Sequence, residues 1–415
     1  MDLISANRAL EIVLESAAPL GVERITIREA QGRVLAEDIR SPRDIPGFDN
    51  SAMDGYAVRS ADAVGASEGA PVRLRVLETI GAGRMPSLRV LPGTASRIMT
   101  GAPLPEGADA IVQVERTRQS GEVVELLADA PPHNFIRPRG EDIRQDELAI
   151  GAGTELRAAD IGVLASLNRS TVEVWRKPRV GIVATGDELV EVDQVPSGAQ
   201  VVNSSGYALA AAVTEAGAEP MLMPIARDRP ELIRQRLAQA FAFDVVLSTG
   251  GVSVGQFDYV SAELKRLGMS ELFHGVAQKP GKPLAFGTVG TKLLFGLPGN
   301  PVSTMVCFYL YALPALHKLG GRSRLGLPKL RARCSADIRI SANLTEFVRV
   351  KLVREGDELV ASATGSQSSG VLSSLSRANA LLIGPRRASL LRRRDYATVL
   401  LLDAGAVTMT EVGFD

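Results

Sequence analysis

The chain has only two cysteines, Cys307 and Cys334, far apart and outside any CxxC spacing, which excludes a disulfide scaffold and a structural zinc site. Its three histidines, His133, His274 and His317, show no HxxxH-type spacing, so a histidine-based metal centre is not expected. Net charge is missing as well. The 47 basic side chains balance 47 acidic ones, leaving no global field to attract nucleic acid or an anionic membrane, and neither partner is expected. No charged segment followed by a long apolar core opens the chain; MDLISANRALEIVLES reads as an amphipathic, partly acidic helix, and a cytoplasmic location is expected. The most apolar run, around 305–316, falls short of the ~20 residues a membrane span needs. Lysine is scarce: none precedes Lys177 in a chain of 415 residues.

Two of those few lysines nonetheless sit three residues apart, in KPGK at 279–282. The apolar runs 283–288 and 292–297, joined by Val289-Gly290-Thr291, predict an antiparallel hairpin. A hairpin brings its open ends together, so Lys279 and Lys282 should lie beside Pro298-Gly299-Asn300-Pro301. Asn300 then reads as an N-cap and Pro301 as the first residue of a helix running towards His317, with Ser303 in its opening turn. Ammonium groups facing the free N–H groups of a helix N-terminus make an oxyanion site. Alone, KPGK is more often a solvated turn. Paired with PGNP across one hairpin, it reads as a site.

A chain of this length suggests roughly two to four domains. Residues 1–49 read as a helix followed by short strand-like pieces, and 50–139 as a small, turn-rich β domain. Residues 140–177 return to the first module. From 178 to 327 strands and helices alternate as βαβαβ with short links, which predicts a largely parallel sheet. The remainder, 328–415, is all-β again; alternation at 345–353 places Val348, Val350 and Leu352 inside and Arg349 and Lys351 on a polar outer face. The basic run 386–394 lacks interleaved aromatics and reads as a solvated hairpin. The fold class is therefore multidomain, α/β plus β.

Ligands of such parallel sheets gather at the carboxyl ends of the strands. Those ends carry Thr185-Gly186-Asp187-Glu188, then Asp228, then Ser248-Thr249-Gly250-Gly251 with Asp258 beyond. Hard divalent cations such as Mg²⁺ use one or two carboxylates plus substrate phosphates, so Asp187, Glu188, Asp228 and Asp258 are candidate ligands; helix capping is the alternative for each. The stretch STGGVSVGQF before Asp258 can approach a ligand closely but lacks the GxGxxG and GxxxxGK[ST] spacings. A third feature, PGFDNSAMDGYA at 46–57, reads as an ordered loop in which Asp49 or Asp54 serves as acid, base or ligand, or makes an Asx-turn. Thr100, before a glycine, is equally open.

Taken together, FDNSAMDGYAV, RIMTGAPLPEGADAIV, RGEDI, ATGDELV, STGGVSVGQFDY, QKPGKPLAFG and LPGNPVS resemble, in order and over nearly the whole chain, the MoeA/gephyrin E-domain family of molybdopterin molybdenumtransferases. The resemblance implies an elongated, L-shaped homodimer of four parts. These are a three-layer α/β molybdopterin-binding domain over 178–327, two small β domains over 50–139 and 328–415, the latter a barrel, and an N-terminal helical and linker region over 1–49 and 140–177 that serves dimerisation. It further implies that adenylylated molybdopterin and molybdate are substrates, that molybdenum is inserted at the dithiolene with Mg²⁺, and that AMP is released. A molybdopterin adenylyltransferase is then the transient partner, and molybdoenzymes or their chaperones are the recipients.

Residue by residue, the molybdate site maps to Lys279, Lys282, Ser303, Arg349 and Ser369, and the other functional positions to Asp54, Thr100, Glu188, Asp228 and Asp258. Pterin contacts map to Thr185, Gly186, Ser248, Gly250, Gly251 and Ser253 and to the turn Pro298, Gly299, Asn300, Pro301. One departure is Gln278, where an apolar residue is common in similar proteins; it should alter the pocket wall and leave the lysines in place. Two rivals to insertion are a pterin-binding scaffold without turnover and the adenylyltransferase step itself.

Overall fold

From residue 178 onward the short apolar strands assemble into one six-stranded sheet, in the order Glu219–Leu222, Arg179–Ala184, Val245–Thr249, Lys292–Leu297, Ala285–Val289, Ser270–His274. The computed structural model that shows this describes residues 3–251, 259–403 and 405, so Ser253 and Asp258 lie outside the described residues. The first four strands are parallel, and the last two join them through antiparallel pairing. The hairpin pairs Val289 with Lys292 and Ala285 with Gly296, so Gly290 and Thr291 form its two-residue tip. Strand Glu219–Leu222 starts at the residue whose amide donates to the Pro178 carbonyl at 2.8 Å.

Period two divides the strand side chains between two faces. Val180, Ile182, Val245, Leu247 and Phe295 pack with Leu209 and Val213 of helix Ser204–Glu215 and with Val302 and Val306 of helix Pro301–Cys307. Val183, Val246 and Leu294 pack with Ile233 and Leu237 of Pro230–Ala240 and with Val260 and Leu264 of Tyr259–Arg266. Helices on both faces give three layers. Helix Pro301–Cys307 continues through a π-turn, Phe308–Ala312, into Leu313–Leu319. At 19 residues it exceeds the apolar run read from the sequence and, among the described residues, is the one helix long and apolar enough to cross a membrane. Its window is 78% buried inside the protein, so it is a core helix.

The N-terminal helix Ala6–Ser16 packs on this core through Ala9 and Val13, and Lys318 Nζ donates to the Leu14 carbonyl at 2.7 Å. The rest of the first module forms a separate small core. Strand Val22–Thr26 pairs antiparallel with Thr171–Trp175, and Leu35, Ile39, Ile143, Ile150, Leu164 and Val174 pack together. Between these halves, a six-stranded sheet runs Ala110–Gln113, Gly55–Val58, Thr94–Ile98, Ser67–Ile80, Val123–Ala128, Thr117–Ser120.

The C-terminal strands close into a barrel. Thr345–Glu355, Glu358–Ala363, Lys329–Cys334, Tyr396–Leu401 and Ala380–Gly384 pair in turn, and Ala380–Gly384 pairs again with Thr345–Glu355. Val348, Val350 and Leu352 fill its interior as read, but Arg349 is not on a polar outer face: it is 1% exposed. A sixth strand joins from outside the barrel. Gln278–Lys279 pairs parallel with Thr345 and Glu346, so the approach to the KPGK turn lies in the barrel sheet while the hairpin after it lies in the α/β sheet.

Candidate functional site

A cavity of about 800 Å³ opens at the carboxyl edge of the parallel strands, between their loops and the start of the core helix. Its floor is backbone. Gly250 has φ +88°, and a Cβ there would stand 2.7 Å from the Thr185 carbonyl, so only glycine fits. Thr185, Gly186, Gly250 and Gly251 line the cavity from the strand ends, and Pro298, Gly299, Asn300 and Pro301 line it from the turn. Ser248 does not reach it: the residue is buried in the sheet, where its hydroxyl donates to the Phe295 carbonyl at 3.3 Å. Thr249 takes that place on the wall.

Sequence reasoning missed one wall. Asn203, Ser204 and Ser205 line the cavity at the N-terminus of Ser204–Glu215. Asn203 caps this helix, its Oδ1 accepting from the Gly206 amide at 3.0 Å. The signal for a site was the short strand Val201–Val202 just before it, which also ends here.

The KPGK turn lies against the core helix. Gly281, at φ +90°, is packed so tightly that a Cβ would collide with Cys307 Sγ and stand 3.6 Å from the Ser303 carbonyl. Pro283 lines the cavity, and Lys282 immediately before it is exposed, with no hydrogen-bond or ion-pair partner for its ammonium among the described residues. Lys279 is differently placed. Its Nζ is 3.0 Å from Glu346 Oε1 and 3.2 Å from Ser341 Oγ, both in the C-terminal domain; neither lysine is among the residues that line the cavity.

At the helix start, Asn300 occupies the N-cap position with extended backbone, but its side chain makes no capping bond. The Val302 amide donates to the Ser369 carbonyl at 3.2 Å and the Thr304 amide to the Asn300 carbonyl at 3.0 Å. The Ser303 amide between them has no acceptor among the described residues, leaving one free donor in the first turn. Ser369 thus reaches the helix through its backbone, and its neighbour Gly370 lines the cavity. Arg349 supports that loop from below: Nη2 donates to the Ser366 and Ser368 carbonyls, both at 3.1 Å, and Nε to Ser374 Oγ at 3.0 Å. Burial lowers its pKa, partly offset by the Glu346 charge. The guanidinium is committed to the loop and does not line the cavity.

Of the carboxylates, Glu188 and Asp228 line the cavity and Asp187 does not. Asp187 and Asp228 cap each other: the Asp228 amide donates to Asp187 Oδ1 at 3.1 Å and the Asp187 amide to Asp228 Oδ2 at 3.3 Å. Burial, reinforced by the charges of Asp187 and Glu188, holds the Asp228 carboxyl above the usual range. Among the described residues no three His, Cys, Asp or Glu side chains are grouped to hold a metal, so Asp187, Glu188 and Asp228 do not form a three-ligand set. Glu188 and Asp228 remain a two-carboxylate donor set on the cavity wall, the kind that suits Mg²⁺ arriving with phosphates.

Asp54 and Thr100 meet elsewhere, on the small β domain. The Thr100 amide and hydroxyl both donate to Asp54 Oδ1, at 2.7 and 2.8 Å, and hold its pKa below the ordinary value. No residue of 50–139 lines the cavity among the described residues.

The chain matches three family models in succession: "MoeA N-terminal region (domain I and II)" over 4–168, "Probable molybdopterin binding domain" over 181–318 and "MoeA C-terminal region (domain IV)" over 331–400. A molybdopterin molybdenumtransferase of Nostoc sp. is 38% identical over 92% of this chain and 89% of its own. Molybdopterin molybdenumtransferase 1 of Mycobacterium tuberculosis is 34% identical, covering 91% of this chain and 94% of its own. The crystal structure of a molybdopterin biosynthesis MoeA protein from Pyrococcus horikoshii OT3 superposes with a TM-score of 0.82 at 32% identity, over 96% of this chain and 100% of that one. With its three family regions in order and a cavity at the strand ends of the middle one, the chain belongs to the molybdopterin molybdenumtransferase family.

Proposed function

We propose that this protein inserts molybdenum from molybdate into adenylylated molybdopterin, releasing AMP, in molybdenum cofactor biosynthesis. The observation that carries the reading is the seat of the KPGK turn against the first turn of the core helix, beside a cavity floored by strand-end glycines. Molybdate is a tetrahedral dianion. The Lys282 ammonium, without a partner among the described residues, offsets its charge, and the Ser303 amide, without an acceptor among them, supplies a donor at the helix N-terminus. The cavity holds pterin and adenylate against backbone, bringing the dithiolene sulfurs to the oxyanion. Glu188 and Asp228 would hold Mg²⁺, which when bound offsets charge on the phosphoanhydride. No protein thiol is required, consistent with Cys307 being buried. Asp54 and Thr100 belong to the same reaction in this reading, in a homodimeric, cytoplasmic enzyme that meets the adenylyltransferase and passes cofactor to molybdoenzymes or their chaperones.

The test is AMP release from adenylylated molybdopterin by the purified protein, with and without molybdate. Release that depends on molybdate is expected. Lys282→Ala should raise the molybdate KM about tenfold or more, as removal of one charged partner does, without lowering the melting temperature. Pterin binding without AMP release would point to a scaffold, and ATP-dependent adenylylation to the preceding step.

A further inference from the structure

Gln278, in the short strand that enters the KPGK turn, is wholly buried and forms no part of the cavity wall. A buried carboxamide is costly unless its hydrogen-bonding capacity is used. Here it is used on both sides. Nε2 donates to the Pro280 carbonyl at 3.1 Å and the Gly281 carbonyl at 3.4 Å, with Cys307 Sγ at 3.6 Å. Oε1 accepts from the Tyr311 hydroxyl, itself buried in the π-turn of the core helix. The orientation of the amide is set by chemistry, since two carbonyl oxygens can only accept.

The two carbonyls so held belong to the centre of the KPGK turn, the residues between the two lysines. Lys279 is fixed by Glu346 and Ser341. Among the described residues the Lys282 ammonium has no such anchor, so the backbone of the turn, whose Lys282 carbonyl accepts from the Val276 amide at 2.9 Å, sets only the point from which its flexible side chain extends. We infer that Gln278 is a positioning residue for the reaction: its carboxamide, held by Tyr311, fixes the Pro280–Gly281 turn and thereby the point beside the cavity from which Lys282 extends. This rests on the reading of Lys282 as the cation for molybdate. Methionine has nearly the volume of glutamine but would leave the Pro280 carbonyl and the tyrosine hydroxyl without this partner, and the Gly281 carbonyl with only the weak Cys307 thiol donor at 3.7 Å.

The experiment compares full-length wild type, Gln278→Met, Tyr311→Phe and Lys282→Ala in molybdate-dependent AMP release, measuring KM for each substrate. Gln278→Met should raise the molybdate KM about tenfold, as small misplacements of a positioned group do, while the KM for adenylylated molybdopterin stays within about twofold. Tyr311→Phe, which loses one of the bonds, should move the same constant in the same direction by less. A purely structural role would lower the melting temperature without separating the two KM values, and that outcome overturns the inference. Should Gln278→Met fail to fold, Tyr311→Phe decides: an unchanged molybdate KM there, beside a raised one in Lys282→Ala, removes the role of Gln278 and leaves the function intact. An unchanged molybdate KM in Lys282→Ala overturns the oxyanion reading itself, and the inference with it.

Discussion

Asp228 binds its proton more readily in the folded protein than in the unfolded chain, because burial and the charges of Asp187 and Glu188 outweigh the amide it accepts. A carboxyl raised in this way contributes stability below the ordinary carboxylate range, and that contribution is lost as pH rises to the shifted value. Asparagine keeps the acceptor for the Asp187 amide and cannot ionise. In metal-free buffer Asp228→Asn should therefore melt above wild type at neutral pH, by about 1 kcal/mol or less for so open a site, with the gap closing towards pH 4. Calorimetry across that range checks it; a gap that widens on acidification would show that the cluster is not strained by charge. The sequence showed that acids crowd these strand ends, because the strand-end rule is topological. It did not show which of them face the cavity, because the reciprocal capping of Asp187 and Asp228 joins loops 41 positions apart.

At the scale of elements, Lys279 shows how a motif residue is diverted by a partner that its own hairpin does not contain. The hairpin, its two-residue tip, and the proline-led helix were legible because each is written in local turn chemistry and period-two alternation. The parallel pairing of Gln278–Lys279 with Thr345–Glu346 was not, since a two-residue strand leaves no periodicity to read. Arg349 was misread for a related reason: alternation gives its side of the strand correctly, but the 366–374 loop that covers that side is remote in sequence. The Lys279–Glu346 pair is asymmetric. The lysine side chain is half exposed and the glutamate 5% exposed. Lys279→Met leaves a nearly buried carboxylate held mainly by the Ser341 amide, at 2.6 Å, whereas Glu346→Gln leaves a solvated ammonium. The first should cost about 1–2 kcal/mol, the second less, and the double variant less than their sum. The same placement ranks the lysines: Lys279→Met should weaken molybdate binding less than Lys282→Ala. Titration of both variants with molybdate settles the order, and the reverse order would return Lys279 to the cavity.

On the scale of the whole molecule, the C-terminal barrel has the outline of an appended module but not its energetics. Phe347, Leu375, Leu381 and Leu400 belong to the same core as Phe286, Phe308 and Leu316 of the α/β domain, so the two domains share one continuous apolar interior. The barrel also supplies the strand that pairs with Gln278–Lys279, the carbonyl that receives the Val302 amide, and the loop that carries Gly370 to the cavity. Composition and texture separate these domains in the sequence at about residue 328, because the change from alternating to all-β pattern is local; shared burial is not. A chain ending at residue 327 should consequently fail to behave as a smaller enzyme. Four large apolar side chains leave the core, worth on the order of 5 kcal/mol or more at about 1.5–3 kcal/mol each, a large part of a typical stability margin. The truncated protein should melt well below the full chain and bind a hydrophobic dye at temperatures where the full chain does not. Its molybdate affinity should fall together with its stability, because the turn bearing Lys282 loses its neighbouring strand. An unchanged melting temperature and no dye binding would mean that the barrel contributes nothing to the core, and the site would then have to be built from the α/β domain alone.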